Sequence, residues 1–196
     1  MNVQQTHREL VFAVDLDGVV IDYFNAFINL LSKSFNRRFT ERDFYVHDPA
    51  QVLDISHRET EEFLRETVFN YRCSPIQGSL KGIKTLKKYG ELIFITERTE
   101  DMIDLTKAWL KTHGYPLAPI EKSNRKSKII SKLNPNVWIE DNLKEIIDAP
   151  KGTKVLLFDR PWNRRCLNVD NRIIRTRGWS EIITFIEIWI KKNELV

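Results

Sequence analysis

The sequence predicts an α/β protein: a parallel sheet with helices on both faces, interrupted after the first strand by a small helical insertion. Three observations carry this. Four short runs rich in β-branched and aromatic residues, LVFAVDL (10–16), LIFIT (92–96), VWIED (137–141) and KVLLFD (154–159), each run into a polar residue. Helix-period segments lie between them, and parallel neighbours need such crossovers. From about residue 20 to 75 the alternation stops and no run reads as a strand.

Taken in order, LVFAVDL is the first strand. In the insertion, YFNAFINLLSKSF places Phe24, Phe27, Ile28, Leu31 and Phe35 at helical spacing, and SHRETEEFL opens with a Ser56 to Glu59 capping box. GSLKGIKTLKKYG sets Leu80, Ile83 and Leu86 on one face and ends at Gly90, expected as the glycine just past a helix end. The strand LIFIT is followed by a helix with Met102, Leu105 and Trp109 on one face, ending at Gly114. After the last two runs, WSEIITFIEIWIKK is a broad apolar helix closed by lysines that suit the negative end of its dipole. The expected organisation is a core of residues 1–22 and 76–196 with a helical insertion at 23–75.

The totals exclude several classes. With 196 residues, 42% hydrophobic and 30% charged, the chain suits one globular domain carrying an insertion. No signal-type stretch opens it and no apolar run approaches the ~20 residues that span a bilayer, so a cytoplasmic protein with no membrane partner is expected. Cys73 and Cys166 show no metal spacing and read as free thiols, and His7, His47, His57 and His113 form no triad or metal box. A net charge of +4 and the basic stretches SNRKSK and DRPWNRR suit an anionic partner. Neither stretch interleaves aromatics with basic residues, which disfavours nucleic acid.

In open parallel sheets ligands bind beyond the carboxyl ends of the strands. Those ends carry Asp15 and Asp17, Thr96, Glu140 and Asp141, and Asp159. Two carboxylates so close in a core-bound run need a cation, a proton or an exit from the core. Gly18 permits a tight turn, and a hard cation would neutralise Asp15 and Asp141 together; oxygen-only ligands point to Mg²⁺. An EF-hand loop fails, because Val19 and Val20 fall where a ligand and the required glycine belong.

DLDGV resembles the first motif, DxDG(T/V), of the haloacid dehalogenase-like phosphohydrolases, and IFIT, Lys126 and WIED are similar to that family's second, third and fourth motifs, in order. The resemblance implies a Rossmann-like core and an aspartyl-phosphate mechanism. Asp15 would be the nucleophile. Asp17 would be the general acid and base, its backbone carbonyl helping to hold Mg²⁺. Thr96 would hydrogen-bond a phosphoryl oxygen, Lys126 would offset the crowded charge, and Asp141 would complete the metal site. Two positions stay open: Lys128 is an alternative to Lys126, and Glu140 an alternative to Asp141 as the direct ligand.

A narrower resemblance, in DGVVIDYF, RDFYVHD and PIQGSLKGIKTLKKYGELIFITERT, is to the 5′(3′)-deoxyribonucleotidase branch. By position, Tyr23, Phe44 and Tyr45 would line the base and sugar pocket under a helical cap, whereas Phe24, Phe27, Phe35 and Phe63 read as packing. Glu97 and Arg98, in a TERT resembling the TxRx of many relatives, are further substrate-binding candidates, with Arg98 on phosphate or ribose, or paired to Glu97. Trp162 and Asn163 in DRPWNR either edge the site or stiffen a Pro-anchored loop.

The implied function is Mg²⁺-dependent hydrolysis of nucleoside monophosphates, deoxyribonucleotides above all, with a homodimer as one option for the assembly. The alternatives are a phosphatase for a sugar phosphate or other small phosphomonoester, a phosphatase of nucleic-acid ends, and a catalytically silent nucleotide-binding module.

Overall fold

The computed structural model describes residues 10–46, 48–69, 73–165 and 172–193. Its elements run β1 (Leu10–Asp15), β2 (Ile21–Asp22), α1 (Tyr23–Ser34), α2 (Ala50–Leu53), α3 (His57–Phe69), β3 (Ser74–Pro75), α4 (Ser79–Tyr89) and β4 (Gly90–Thr96). There follow α5 (Glu100–Thr112), β5 (Ile120–Lys122), α6 (Lys126–Leu133), β6 (Val137–Glu140), α7 (Leu143–Ile146), β7 (Lys154–Phe158), β8 (Ile173–Thr176) and α8 (Trp179–Lys192).

Six strands form one parallel sheet in the order β5-β4-β1-β6-β7-β8. Side chains alternate across it. Phe12 and Val14 of β1 join Ile83 and Leu86 of α4, Trp109 of α5, and Ile182 and Ile186 of α8. Ala13 faces the other way, among Ile130 of α6, Trp138 of β6 and Ile146 of α7. A strand covered on both faces reads as a continuous apolar run, which is why β1, β4, β6 and β7 are visible in the sequence. The edge strands β5 and β8 are not: β5 has only three residues, none buried, and three of the four in β8 are half-buried.

Gly90 does something other than expected. Its φ of 169° is extended, not left-handed, and it stands opposite Leu10 at the start of β4. A Cβ there would run into the Leu10 carbonyl oxygen. Close approach of two backbones therefore demands this glycine.

Between β2 and β3, which pair antiparallel, the chain is helical. Asp22 accepts the Asn25 amide at 3.3 Å and starts α1, and Ser56 and Glu59 exchange the expected capping bonds before α3. Phe24, Phe27, Ile28, Leu31, Phe39 and Phe44 form a separate core closed by Trp162. Each such burial stabilises by about 1.5–3 kcal/mol. Phe35, expected in that core, is 42% exposed because α1 ends at Ser34 and Phe35 is its capping residue.

Among the described residues no helix is long and apolar enough to cross a membrane. Cys73 is a buried free thiol, pushed up to about 12 by burial. His7, His47 and Cys166 lie outside the described residues.

Candidate active site

The carboxyl ends of β1, β4 and β6 and the first residue of α6 meet at one point. Asp15 ends β1 at 2% exposure, and its Oδ1 lies 2.8 Å from the Lys126 Nζ. Lys126 also donates to both oxygens of Glu140, at 3.2 and 3.0 Å. One buried ammonium thus serves two buried carboxylates. Lys128, the other candidate, is exposed two residues further along α6.

Glu140 is already committed. Its Oε1 also accepts the backbone amides of Asp141 and Asn142, at 3.1 and 3.0 Å, so this carboxylate holds the turn out of β6. Asp141 is buried beside it and approaches the loop after β1. There Gly18 sits at φ +84°, and a Cβ would overlap the Asp141 carboxylate. Only glycine allows both the left-handed turn and that contact.

Asp17 is gripped by Arg98. The guanidinium Nε and Nη2 donate to its two oxygens at 2.7 and 2.6 Å, and Nη1 donates to Thr106 at 2.8 Å. Arg98 therefore pairs with Asp17, not Glu97. The backbone amide of Arg98 donates to the Thr96 Oγ1 at 3.1 Å, which fixes the loop after β4. A lysine cannot reproduce a two-point fork. Arg98→Lys is expected to lower kcat about tenfold or more with the fold retained; an unchanged kcat would remove Arg98 from the site's machinery.

Burial pushes Asp15 well above the usual carboxylate range, with Glu140 adding repulsion and Lys126 opposing. Burial pushes Glu140 up to about 7 despite Lys126, and burial plus repulsion from Asp15 pushes Asp141 to about 7. Burial alone would lower the Lys126 ammonium, but Asp15 and Glu140 outweigh it and hold it charged. In the unfolded chain these carboxyls ionise near ~4. Between about pH 4 and 7 the folded protein thus binds more protons than the unfolded, and its stability falls as pH rises through that window. With chelator, the melting temperature should drop between about pH 5 and about pH 8, and Mg²⁺ should restore it at the higher pH. A flat or rising profile with chelator would contradict the assignment of these charges.

The donor set suits a hard dication. Ligand oxygens of Asp15, Glu140 and Asp141 lie within 4.8 Å of one another, all buried. Three carboxylates face one ammonium, with no nitrogen or sulfur among the donors, as Mg²⁺ prefers. Glu140 is bound by Lys126 and two amides, and Asp15 by Lys126 alone, which makes Asp15 and Asp141 the candidate ligands for such an ion.

A cavity of about 400 Å³ opens over these groups, lined by Asp15, Asp17, Tyr23, Glu97, Arg98, Lys126 and Asp141. The Tyr23 hydroxyl is pushed well up by burial and by Asp141, Asp17 and Asp15. Phe44 and Tyr45 stand elsewhere. Phe44 is 1% exposed inside the helical core, and Tyr45 lines a second cavity of about 430 Å³ with Trp162, stacked under Arg165. Asn142 borders both cavities. The roof comes from three residues the sequence did not single out, Glu61, Leu64 and Arg65 of α3, with Met102, expected on the apolar face of α5, opposite. Arg65 bonds Asp101 at 2.6 Å and ties α3 to the start of α5. Periodicity makes α3 a helix but does not say which face meets a cavity.

The family described as "5′ nucleotidase, deoxy (Pyrimidine), cytosolic type C protein" matches residues 8–193. Similar proteins include "Putative nucleotidase BH1399" of Halalkalibacterium halodurans, 25% identical over 98% of this chain and 99% of its own. "Putative nucleotidase YqfW" of Bacillus subtilis is 26% identical over 94% and 95%. Among solved structures, a haloacid dehalogenase-like family hydrolase from Streptococcus pneumoniae, SP0104, superposes with a TM-score of 0.64 at 14% identity, over 91% of this chain and 98% of that one, a likeness of fold.

Proposed function

Because this chain belongs to the family of deoxy (pyrimidine), cytosolic type C 5′ nucleotidases, within the haloacid dehalogenase-like superfamily, we propose that it hydrolyses nucleoside monophosphates, deoxyribonucleotides above all, through an aspartyl phosphate on Asp15. The observation that carries this reading is the buried Asp15–Lys126–Glu140 cluster, with Asp17 two residues along, beneath a cavity roofed by α3.

The Asp15 carboxylate attacks phosphorus in line as the ester P–O bond breaks. Asp17 turns one oxygen from Arg98 towards the departing oxygen and gives it a proton. It then takes a proton from the water that attacks the phosphorus of the aspartyl phosphate, which frees Asp15. Thr96 has its oxygen engaged by the Arg98 amide and donates its hydroxyl proton to a phosphoryl oxygen. Lys126 opposes the protonation that burial favours at Asp15 and offsets phosphoryl charge beside it. Asp15, Asp141 and the Asp17 carbonyl would hold Mg²⁺, which would supply further neutralisation of that charge. Tyr23, Leu64 and Met102 offer the sugar and base an apolar wall, while Glu97 lies at the cavity edge. The family's description supports a cytosolic setting.

Phe44 and Tyr45 standing outside the first cavity favours, as a second reading, a smaller phosphomonoester such as a sugar phosphate. Phosphate release from ribonucleotides, deoxyribonucleotides and sugar phosphates, with Mg²⁺ and with chelator, separates the two. Metal-dependent release concentrated on deoxyribonucleotides is expected. Release from sugar phosphates alone would discard the nucleotide, and release from nothing would discard the reaction.

A further inference from the structure

The segment after β7 makes contacts that the chemistry above does not use. Arg160 reaches back across the sheet edge, and its Nε donates to the Gly18 carbonyl at 2.8 Å while its guanidinium lies 4.8 Å over the Phe158 ring. Asn163, 1% exposed, donates through Nδ2 to the Asp141 and Phe158 carbonyls, each at 2.8 Å. Its Oδ1 accepts the Arg160 amide and Arg175 Nη1. Arg175, on β8, also donates to Asp159 at 3.0 Å and to the Asn163 carbonyl at 2.9 Å.

An amide side chain has two donor hydrogens and two acceptor lone pairs, and here all four are used. The two carbonyls held from outside, those of Gly18 and Asp141, belong to the two loops whose carboxylates face each other across the site. The Gly18 loop carries a left-handed turn, which is conformationally soft. The loop is held by its own backbone bonds, by the Arg98 fork on Asp17 and by Trp179 Nε1 on the Val19 carbonyl at 2.8 Å, but none of these partners lies on the Asp141 segment; Arg160 on Gly18 and Asn163 on Asp141 tie both to one short stretch of chain.

We infer that Arg160 and Asn163 are positioning residues, a brace anchored on Arg175 that sets the spacing between the Asp15–Gly18 loop and Asp141 and so the geometry of the phosphoryl and metal site. The inference about the metal rests on the function proposed above; the brace itself is a matter of backbone order. Asn163→Asp keeps the shape but turns a donor towards two carbonyls into an acceptor. Arg160→Gln removes the bond to Gly18 and leaves Asn163 in place.

The test is amide hydrogen exchange with chelator, together with calorimetric titration of Mg²⁺ alone, on wild type and both variants. Exchange should quicken about tenfold or more in 15–21 and 140–143 for Asn163→Asp, and in 15–21 for Arg160→Gln, with α4 unchanged. Mg²⁺ affinity should fall about tenfold. Unchanged exchange in both loops would overturn the brace, as would Mg²⁺ affinity within about twofold of wild type in a folded variant. If Asn163→Asp does not fold, Arg160→Gln decides alone. Wild type that neither binds Mg²⁺ nor releases phosphate would overturn the proposed function, while exchange would still decide the brace.

Discussion

Asp15→Asn should abolish phosphate release, with kcat falling by about 10⁴-fold or more, because an amide oxygen is a poor nucleophile and the covalent route has no substitute in this site. Folding should survive. Lys126 keeps Glu140 as a partner at 3.0 Å, and the substitution removes one of three buried carboxylates that repel one another. The check pairs phosphate release with thermal melting: activity gone and melting temperature within a few degrees of wild type. Residual turnover within about tenfold of wild type would show that Asp15 is not the nucleophile.

Lys126→Met should be the most damaging change to the fold. It leaves Asp15 and Glu140 buried without their shared cation, and breaking a buried pair from one side costs about 3–5 kcal/mol. Urea unfolding at about pH 8 measures this, and at about pH 5 the loss should shrink as the stranded carboxyls take up protons. Activity should fall about 10²–10³-fold in the fraction that folds. A loss under about 1 kcal/mol at the higher pH would mean that the carboxylates find another partner.

The sheet's centre was legible because burial on both faces leaves a long apolar run, and the polar residues at strand ends then point to the site without any tertiary knowledge. What escaped depends on contacts between distant segments. Three-residue β5 is an edge with no buried face to leave a pattern. Lys126 and Lys128 are alike in sequence, and only the turn of α6 buries the first. Arg98 was expected on phosphate or ribose or beside Glu97; it lines the cavity, and its carboxylate partner is Asp17, 81 residues away in the chain. Phe44 carries the aromatic signature of a pocket but lies in the helical core, because burial and stacking leave the same sequence pattern.

The pairing of Ile21–Asp22 with Ser74–Pro75 brings the two ends of the helical segment side by side, about 5 Å apart as neighbouring strands are. A segment entered and left at one place is a cassette. Asp15, Lys126 and Asp141 all lie outside those ends, while Tyr23, Glu61, Leu64 and Arg65 lie between them. A substitution within the segment can therefore reshape the roof of the cavity while leaving the carboxylate cluster beneath it in place.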